Sequence, residues 1–246
     1  MDILSKKMLL DMPNAALKCI DAYGEISAFK SVPATLSLCV TFRGTAEQYA
    51  LMGDGRTVSG MPNGTSSFTL YKRPDSYWLG GLCWSYTNAA ATTESVATKL
   101  CSYNTVMSII TDGKPHCLVC CVNPTEKKIK AYVDGVYVND GYNYYKTFTA
   151  TPTAFIASNS FKMGTTTAYT LDGGCTISNI KYFNFDISAT GAPYTLDDYQ
   201  NNRDIPDGTS GVILNLHNKL SGNTWQDESG NGYDMALQGD FEITDE

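Results

Sequence analysis

The sequence predicts an all-β protein: two antiparallel sheets packed face to face, with one or two short helices. Three observations carry the prediction. In residues 116–139, two runs rich in Val, Ile, Tyr and Cys flank a polar break at Asn123 and Pro124, the composition of a β-hairpin. In the second run Ile129, Ala131 and Val133 alternate with Lys128, Lys130 and Tyr132, which makes one face apolar and the other largely wet. Asp134-Gly135 then reverses the chain, since glycine tolerates the positive φ of a tight turn, and Val136, Tyr137 and Val138 resume the extended pattern as a third strand. The second observation is residues 34–43, where Leu36, Leu38 and Val40 alternate with Thr35, Ser37, Cys39 and Thr41, the pattern of a half-buried strand. The third is that about a dozen or more short extended runs recur between turn residues, with no heptad, internal repeat or long helical period.

A chain of 246 residues buries about 70–75% of its unfolded surface on folding, so one core needs no crosslinks. The composition, 43% hydrophobic and 17% charged, is that of a globular chain. We divide it into an arm over residues 1–14, ended by Pro13-Asn14, and a single domain over residues 15–246. Residues 15–29 read as two short extended runs parted near Tyr23-Gly24. Tyr49 opens a run into a Gly/Ser/Asn loop, and residues 67–72 and 77–85 read as strands about an Arg73-Pro-Asp-Ser turn. Residues 86–98 read as a loop and residues 100–110 as an extended run. Short strands follow at residues 153–157 and 161–164, and longer ones at 175–186, 212–216 and 235–243. Thr195, with Asp198 three residues on, has capping-box spacing and predicts a short helix over residues 196–201.

The formal charge is −7, with no basic stripe to displace counterions, which argues against nucleic acid as a partner. No run of eighteen apolar residues offers itself as a membrane helix. The first residues, in which charges interrupt the apolar positions, do not read as a secretory signal. The eight cysteines, Cys19, Cys39, Cys83, Cys101, Cys117, Cys120, Cys121 and Cys175, sit largely in apolar strand patterns and read as buried thiols. Cys117 and Cys120 have a metal-like spacing beside His116, but three residues apart on a strand they point to opposite faces.

Catalytic machinery is not legible. Retaining glycoside hydrolysis needs two carboxylates about 5–5.5 Å apart, and no strand carries them at i and i+4. His116 and His217 face no patterned nucleophile, and no nucleophile elbow, P-loop or dinucleotide fingerprint occurs. The expectation is a non-enzyme. Binding needs less: aromatic faces for sugar C–H patches and polar side chains for hydroxyls. Among 16 Tyr and 3 Trp, the candidate ligand-binding residues are Trp78, Trp84 and Tyr86 around one pair of strands, and Tyr142, Tyr144 and Tyr145 in a glycine-flanked cluster. For the tryptophans the competing role is core packing, and for the tyrosines a subunit interface. Asp227, Asn231 and Asp234 carry the hard oxygen ligands a Ca2+ ion takes, against the alternative that they bond their own turn.

Three stretches also carry a family resemblance. The strand opening on His116 and running through Ile-Lys-Ala-Tyr-Val-Asp-Gly-Val resembles the central hairpin of concanavalin A-like jelly rolls, the laminin-G and pentraxin type especially. Residues 175–186 with Tyr194-Thr-Leu-Asp-Asp-Tyr-Gln resemble the late strand and helical turn of those domains. Trp225-Gln-Asp-Glu-Ser-Gly-Asn-Gly-Tyr-Asp resembles a loop of laminin-G-like modules, notably in phage structural proteins. The resemblance implies a concanavalin A-like jelly-roll sandwich that binds glycans of bacterial or mucosal surfaces, or other virion proteins. It implies a phage head fibre, capsid decoration protein or tail adhesin, assembled in the host cytoplasm and oligomeric on a symmetric particle. The alternatives are a secreted or surface carbohydrate-binding module of a bacterium, and a divergent glycoside hydrolase or polysaccharide lyase.

Overall fold

The computed structural model describes residues 15–27, 29, 35–44, 49–53, 69–72, 81–88, 93–99, 112–123, 125–126, 128–137, 152–155, 161–163, 175–201 and 204–245. The N-terminal arm, the run at residues 100–110, Trp78, Tyr142, Tyr144 and Tyr145 lie outside the described residues. The strands are β1 (Ala15–Ile26), β2 (Leu36–Gly44), β3 (Tyr49–Gly53), β4 (Thr69–Lys72), β5 (Gly81–Asn88), β6 (Thr93–Lys99), β7 (Pro115–Asn123), β8 (Lys128–Val133), β9 (Val136–Tyr137), β10 (Pro152–Phe155), β11 (Phe161–Met163), β12 (Cys175–Phe183), β13 (Val212–Ser221), β14 (Thr224–Asp227) and β15 (Met235–Asp245). One helix, α1 (Leu196–Asn201), joins β12 to β13.

The strands form two sheets, antiparallel throughout, as predicted for this β-sandwich. The larger has twelve strands in the order β4-β3-β11-β1-β15-β14-β13-β12-β2-β7-β8-β9, and the smaller has three, β10-β5-β6. Leu17 and Lys18 of β1 also pair with Ile177 and Thr176 of β12. The ladder of β1, β15, β14, β13 and β12 therefore returns on itself, which removes edges that would otherwise be left unpaired.

Three expectations are corrected. Residues 15–26 form one strand of twelve residues rather than two runs, its register shifting between Ile20 and Ala22. Gly24 does not end it. A Cβ there would run into Met235, so glycine lets β15 pack against this strand. Residues 86–88 and 93–98, expected in a loop, are strand: they belong to β5 and β6, which pair from Gly81↔Lys99 to Thr87↔Thr93. The Thr and Val of β6 are strand formers, which outweighs the turn-like composition around them.

The third correction concerns β2. It is not half-buried: every residue but Arg43 is buried, on both faces. Registers of β2 with β7 and β12 place Leu38, Val40, Leu118, Cys120, Ile180 and Tyr182 on one face. Ser37, Cys39, Thr41, Cys117, Val119, Cys121 and Phe183 lie on the other. The chain after β12 covers this second face, laying Ile187, Tyr194 and Tyr199 on Cys39, Cys117, Val119, Cys121 and Phe183. The ring of Tyr194 stacks on Phe183 at 5.4 Å. The small side chains on the sheet leave room for these rings, and truncating Phe183 to alanine would cost about 3–5 kcal/mol.

Helix α1 begins as the spacing predicts. The Thr195 N–H and hydroxyl both donate to Asp198 Oδ2, at 2.8 and 2.7 Å, and the Asp198 N–H donates back to Thr195 Oγ1 at 3.1 Å. Tyr199, fully buried, pins the helix to the sheet through a 2.9 Å hydrogen bond with Thr41 Oγ1.

Candidate functional site

The covering segment leaves a surface cleft of about 230 Å³ where it crosses β8. Tyr132 and Ile187 form its apolar wall, and Ser188, Thr190, Thr195 and Asp197 bring hydroxyls and a carboxylate to its rim. Tyr132 stands here because alternation on β8 sends it to the same face as Lys130, opposite Ala131 and Val133. Its ring lies 5.5 Å from that of Tyr137, 53° between planes, across the β8–β9 turn. Tyr137 is 40% exposed and Val136 70% exposed. Burial first, then the charges of Cys121 and Asp186, hold the Tyr132 hydroxyl above its ordinary pKa against a bond from Ser188. It is a neutral hydroxyl at physiological pH.

Under the cleft, Asp186 anchors the covering segment. It is 4% exposed and accepts from the Ser188 N–H at 2.9 Å and the Ser188 hydroxyl at 2.6 Å, and from Asn123 Nδ2 at 3.1 Å. Burial alone would raise its pKa, but these bonds and the Lys130 charge hold it below the usual carboxylate range. Lys130 Nζ lies 2.9 Å from Glu126 and 3.5 Å from Asp186, so one ammonium serves two carboxylates. Burial by itself would lower the Lys130 pKa, but the Glu126 bond and both carboxylate charges raise it.

A second cluster sits at the start of β7. His116 is 8% exposed, with Nδ1 2.7 Å from Asp134 Oδ2 and Nε2 3.0 Å from Asp112 Oδ1. A ring that gives a hydrogen bond from each nitrogen carries both protons and the charge. Burial alone would lower its pKa, but the bonds and charges of Asp134 and Asp112 outweigh it and the pKa is raised. Asp112 is held below its ordinary range by the His116 bond and then by the Lys114 N–H. Asp134 also locks the hairpin: its N–H donates to the Cys117 carbonyl at 2.9 Å, and its Oδ1 accepts from the Cys117 N–H at 2.8 Å. The turn has φ 48° at Asp134 and 72° at Gly135, the signature of the tight turn read from Asp-Gly. Sequence reasoning singled out His116 but missed its partners. The signal was present in Asp112-Gly113 and Asp134-Gly135, two Asp-Gly turns that must flank a strand opening on His.

The third cluster is the Trp225 loop. Asp227 Oδ1 accepts from the N–H groups of Asn215 and Ser229, at 3.0 and 2.9 Å. Its Oδ2 accepts from Ser229 Oγ at 2.7 Å and the Tyr233 N–H at 3.0 Å. Asn231 Nδ2 donates to the Val212 and Ile213 carbonyls at 3.0 Å, and Asp234 Oδ1 accepts from the Asp227 N–H at 2.8 Å. The indole of Trp225, 2% exposed, donates to the His217 carbonyl at 2.6 Å. These side chains act as a clasp between β13 and the loop after β14. Asn215 extends the clasp inward, accepting 2.7 Å from Nζ of the fully buried Lys181. Among the described residues no group of three His, Cys, Asp or Glu side chains is arranged to hold a metal ion.

Of the other predicted site residues, Trp84 and Tyr86 belong to β5, in register with Val96 and Glu94 of β6. Cys39, Cys117, Cys120 and Cys121 are buried free thiols. Burial, then the charge of Asp186, pushes the Cys121 thiol up to about 12. No helix among the described residues is long and apolar enough to cross a membrane.

No family model and no curated protein matches this sequence. Among solved structures, the chain is similar to a protein of Bacteroides ovatus whose proposed role is carbohydrate binding. The TM-score is 0.59 at 12% identity, covering 94% of this chain and 60% of that one. The CBM40 of a Ruminococcus gnavus IT-sialidase, solved with α2,3-sialyllactose, follows at TM-score 0.38 and 13% identity, covering 66% of this chain and 80% of that one. The ligand-binding domain of botulinum neurotoxin serotype D, solved with N-acetylneuraminic acid, has TM-score 0.40 and 11% identity over 72% and 44% of the two chains. The Bacteroides likeness shows the β fold, and this chain spans 60% of that protein's length.

Proposed function

We propose that this chain is a non-enzymatic glycan-binding β-sandwich carried on a particle, a phage head fibre, capsid decoration protein or tail adhesin. The observation that carries the binding reading is the Tyr132 cleft, with an aromatic wall and a rim of hydroxyls and carboxylate; the exposed Tyr137 ring lies against that of Tyr132. That combination suits a sugar, whose C–H face packs on a ring while its hydroxyls take polar partners. The role of the Bacteroides ovatus protein accords with it. The non-enzymatic reading is supported by the cluster richest in catalytic residue types, Asp112, His116 and Asp134, being closed on itself around a nearly buried ring. The virion reading draws on the Trp225-to-Asp234 loop and its resemblance to phage structural modules.

A glycan array probed with and without Ca2+ tests the binding reading. Saturable binding that Tyr132→Ala abolishes supports it, and an array without hits under both conditions refutes it. Release of new reducing ends from a polysaccharide panel would overturn the non-enzymatic part. The Bacteroides likeness favours a second reading, a surface or secreted carbohydrate-binding module of a bacterium. Neighbouring genes for capsid and tail, against genes for polysaccharide use, separate the two.

A further inference from the structure

Resting on the glycan reading, the charges around the Tyr132 cleft point to a finer ligand class. Asp197, exposed at the rim, has no side-chain hydrogen bond or ion pair among the described residues. The cation described beside the cleft, Lys130, is already shared by Glu126 and Asp186. Asp198, next to Asp197, keeps its own charge, held by the Thr195 N–H and hydroxyl. The cleft thus carries on its rim a carboxylate that no described cation neutralises, in the same cleft as the Tyr132 ring. A negative group brought there meets like charge at contact distance, inside the ~8 Å over which salt fails to screen it. An ammonium meets both a carboxylate and the negative face of a ring, each favourable to it. The cleft volume, about 230 Å³, lies below the roughly 300 Å³ at which drug-sized pockets begin. It suits one terminal sugar ring rather than a chain segment.

We propose that the Tyr132 cleft binds a single terminal sugar bearing no negative charge and selects a free amino sugar over its N-acetylated and acidic counterparts, through Asp197 and the Tyr132 ring. Asp197 is the specificity-determining residue, and Tyr132 supplies the affinity common to all hexoses.

The test is calorimetric titration of the whole chain with three disaccharides: the glucosamine dimer, its N,N′-diacetyl form and a glucuronate-terminated form. The expected order is amine first, by about three- to tenfold over the acetylated sugar at low salt, with the glucuronate weakest. Asp197→Asn should bring the amine and acetylated sugars to within about twofold of each other while leaving the melting temperature in place. Asp207→Asn, an exposed acid on the turn from Pro206 to Thr209 and outside the cleft, removes the same net charge and should keep the preference. Equal or tighter binding of the acidic or acetylated sugar overturns the inference and leaves the glycan reading standing. So does an amine preference that survives Asp197→Asn, or that falls equally in Asp207→Asn. A folded chain that binds none of the three overturns both.

Discussion

Replacing His116 with glutamine removes the cation that Asp112 and Asp134 share, while a side chain of similar reach stays in place. The His116–Asp134 bond, at 2.7 Å with a ring 9% and a carboxylate 45% exposed, is charge-assisted but partly screened. Charge-assisted bonds contribute about 1.5–3 kcal/mol and exposed ion pairs about 0.2–1, so a half-exposed pair is worth about 1–2 kcal/mol. In a domain of this size that lowers Tm by about 2–4 °C per kcal/mol. The sign of the pH dependence follows from the raised pKa of His116. A group bound more tightly to its proton in the folded state stabilises fully below its unfolded pKa, about 6.5, and loses that contribution as pH rises through the folded value. Asp112, whose pKa is lowered from 3.8, stays ionised throughout this window and does not confuse the comparison. The assay is thermal melting of the protein and His116→Gln at several pH values from 5.5 to 9. The expected gap is widest at pH 5.5 and narrows above pH 6.5. A gap that is constant, or that widens toward high pH, would refute the charged clasp.

Three further outcomes are expected. Asp227→Ala leaves the N–H groups of Asn215, Ser229 and Tyr233 without their acceptor. Urea unfolding should show a loss of about 2–4 kcal/mol, and a loss under 1 would mean that water replaces the clasp. Gly135→Ala should destabilise by about 1–2 kcal/mol more than Gly191→Ala. Both glycines have positive φ, 72° and 80°, but a Cβ at Gly135 runs into the Gln200 amide, whereas at Gly191 it meets nothing within 4 Å. Equal losses would show that Gln200 swings aside freely. The Cys121 thiol, its pKa pushed up to about 12, should resist alkylation in the native protein at pH 8 and react once urea unfolds it. Labelling of Cys121 by peptide mapping at the rate of an exposed thiol would contradict its burial.

Much of the architecture was legible because alternation and turn chemistry are local. The 2.0-residue period of β8, the Asp134-Gly135 turn and the Thr195…Asp198 cap each depend on a few neighbouring residues, and each forms where the pattern predicts. The failures are equally specific. In residues 93–98 the strand-forming Thr and Val are mixed with Glu, Ser and Ala, and pairing with β5 decided that they form a strand. The Tyr132 cleft was not legible at all. On β8 the tyrosine reads as one more residue of a wet face, since its alternation with Ala131 and Val133 says which side it takes but not what arrives there.

The sequence by itself determined an antiparallel β protein, most of its strands and the positions of its tightest turns, because those follow from side-chain period and backbone φ preference. Tertiary structure alone decided that Ser37 and Thr41 are buried, and that Asp112 and Asp134 close on His116. It alone decided that Asp227 ties β13 to the loop after β14. Each of these joins residues from 4 to about 160 positions apart in the chain, and the free energy of such contacts depends on which faces meet after the sheet has curled. A local pattern cannot carry that information, because the residue covering a strand's second face comes from a segment whose own sequence says only that it turns.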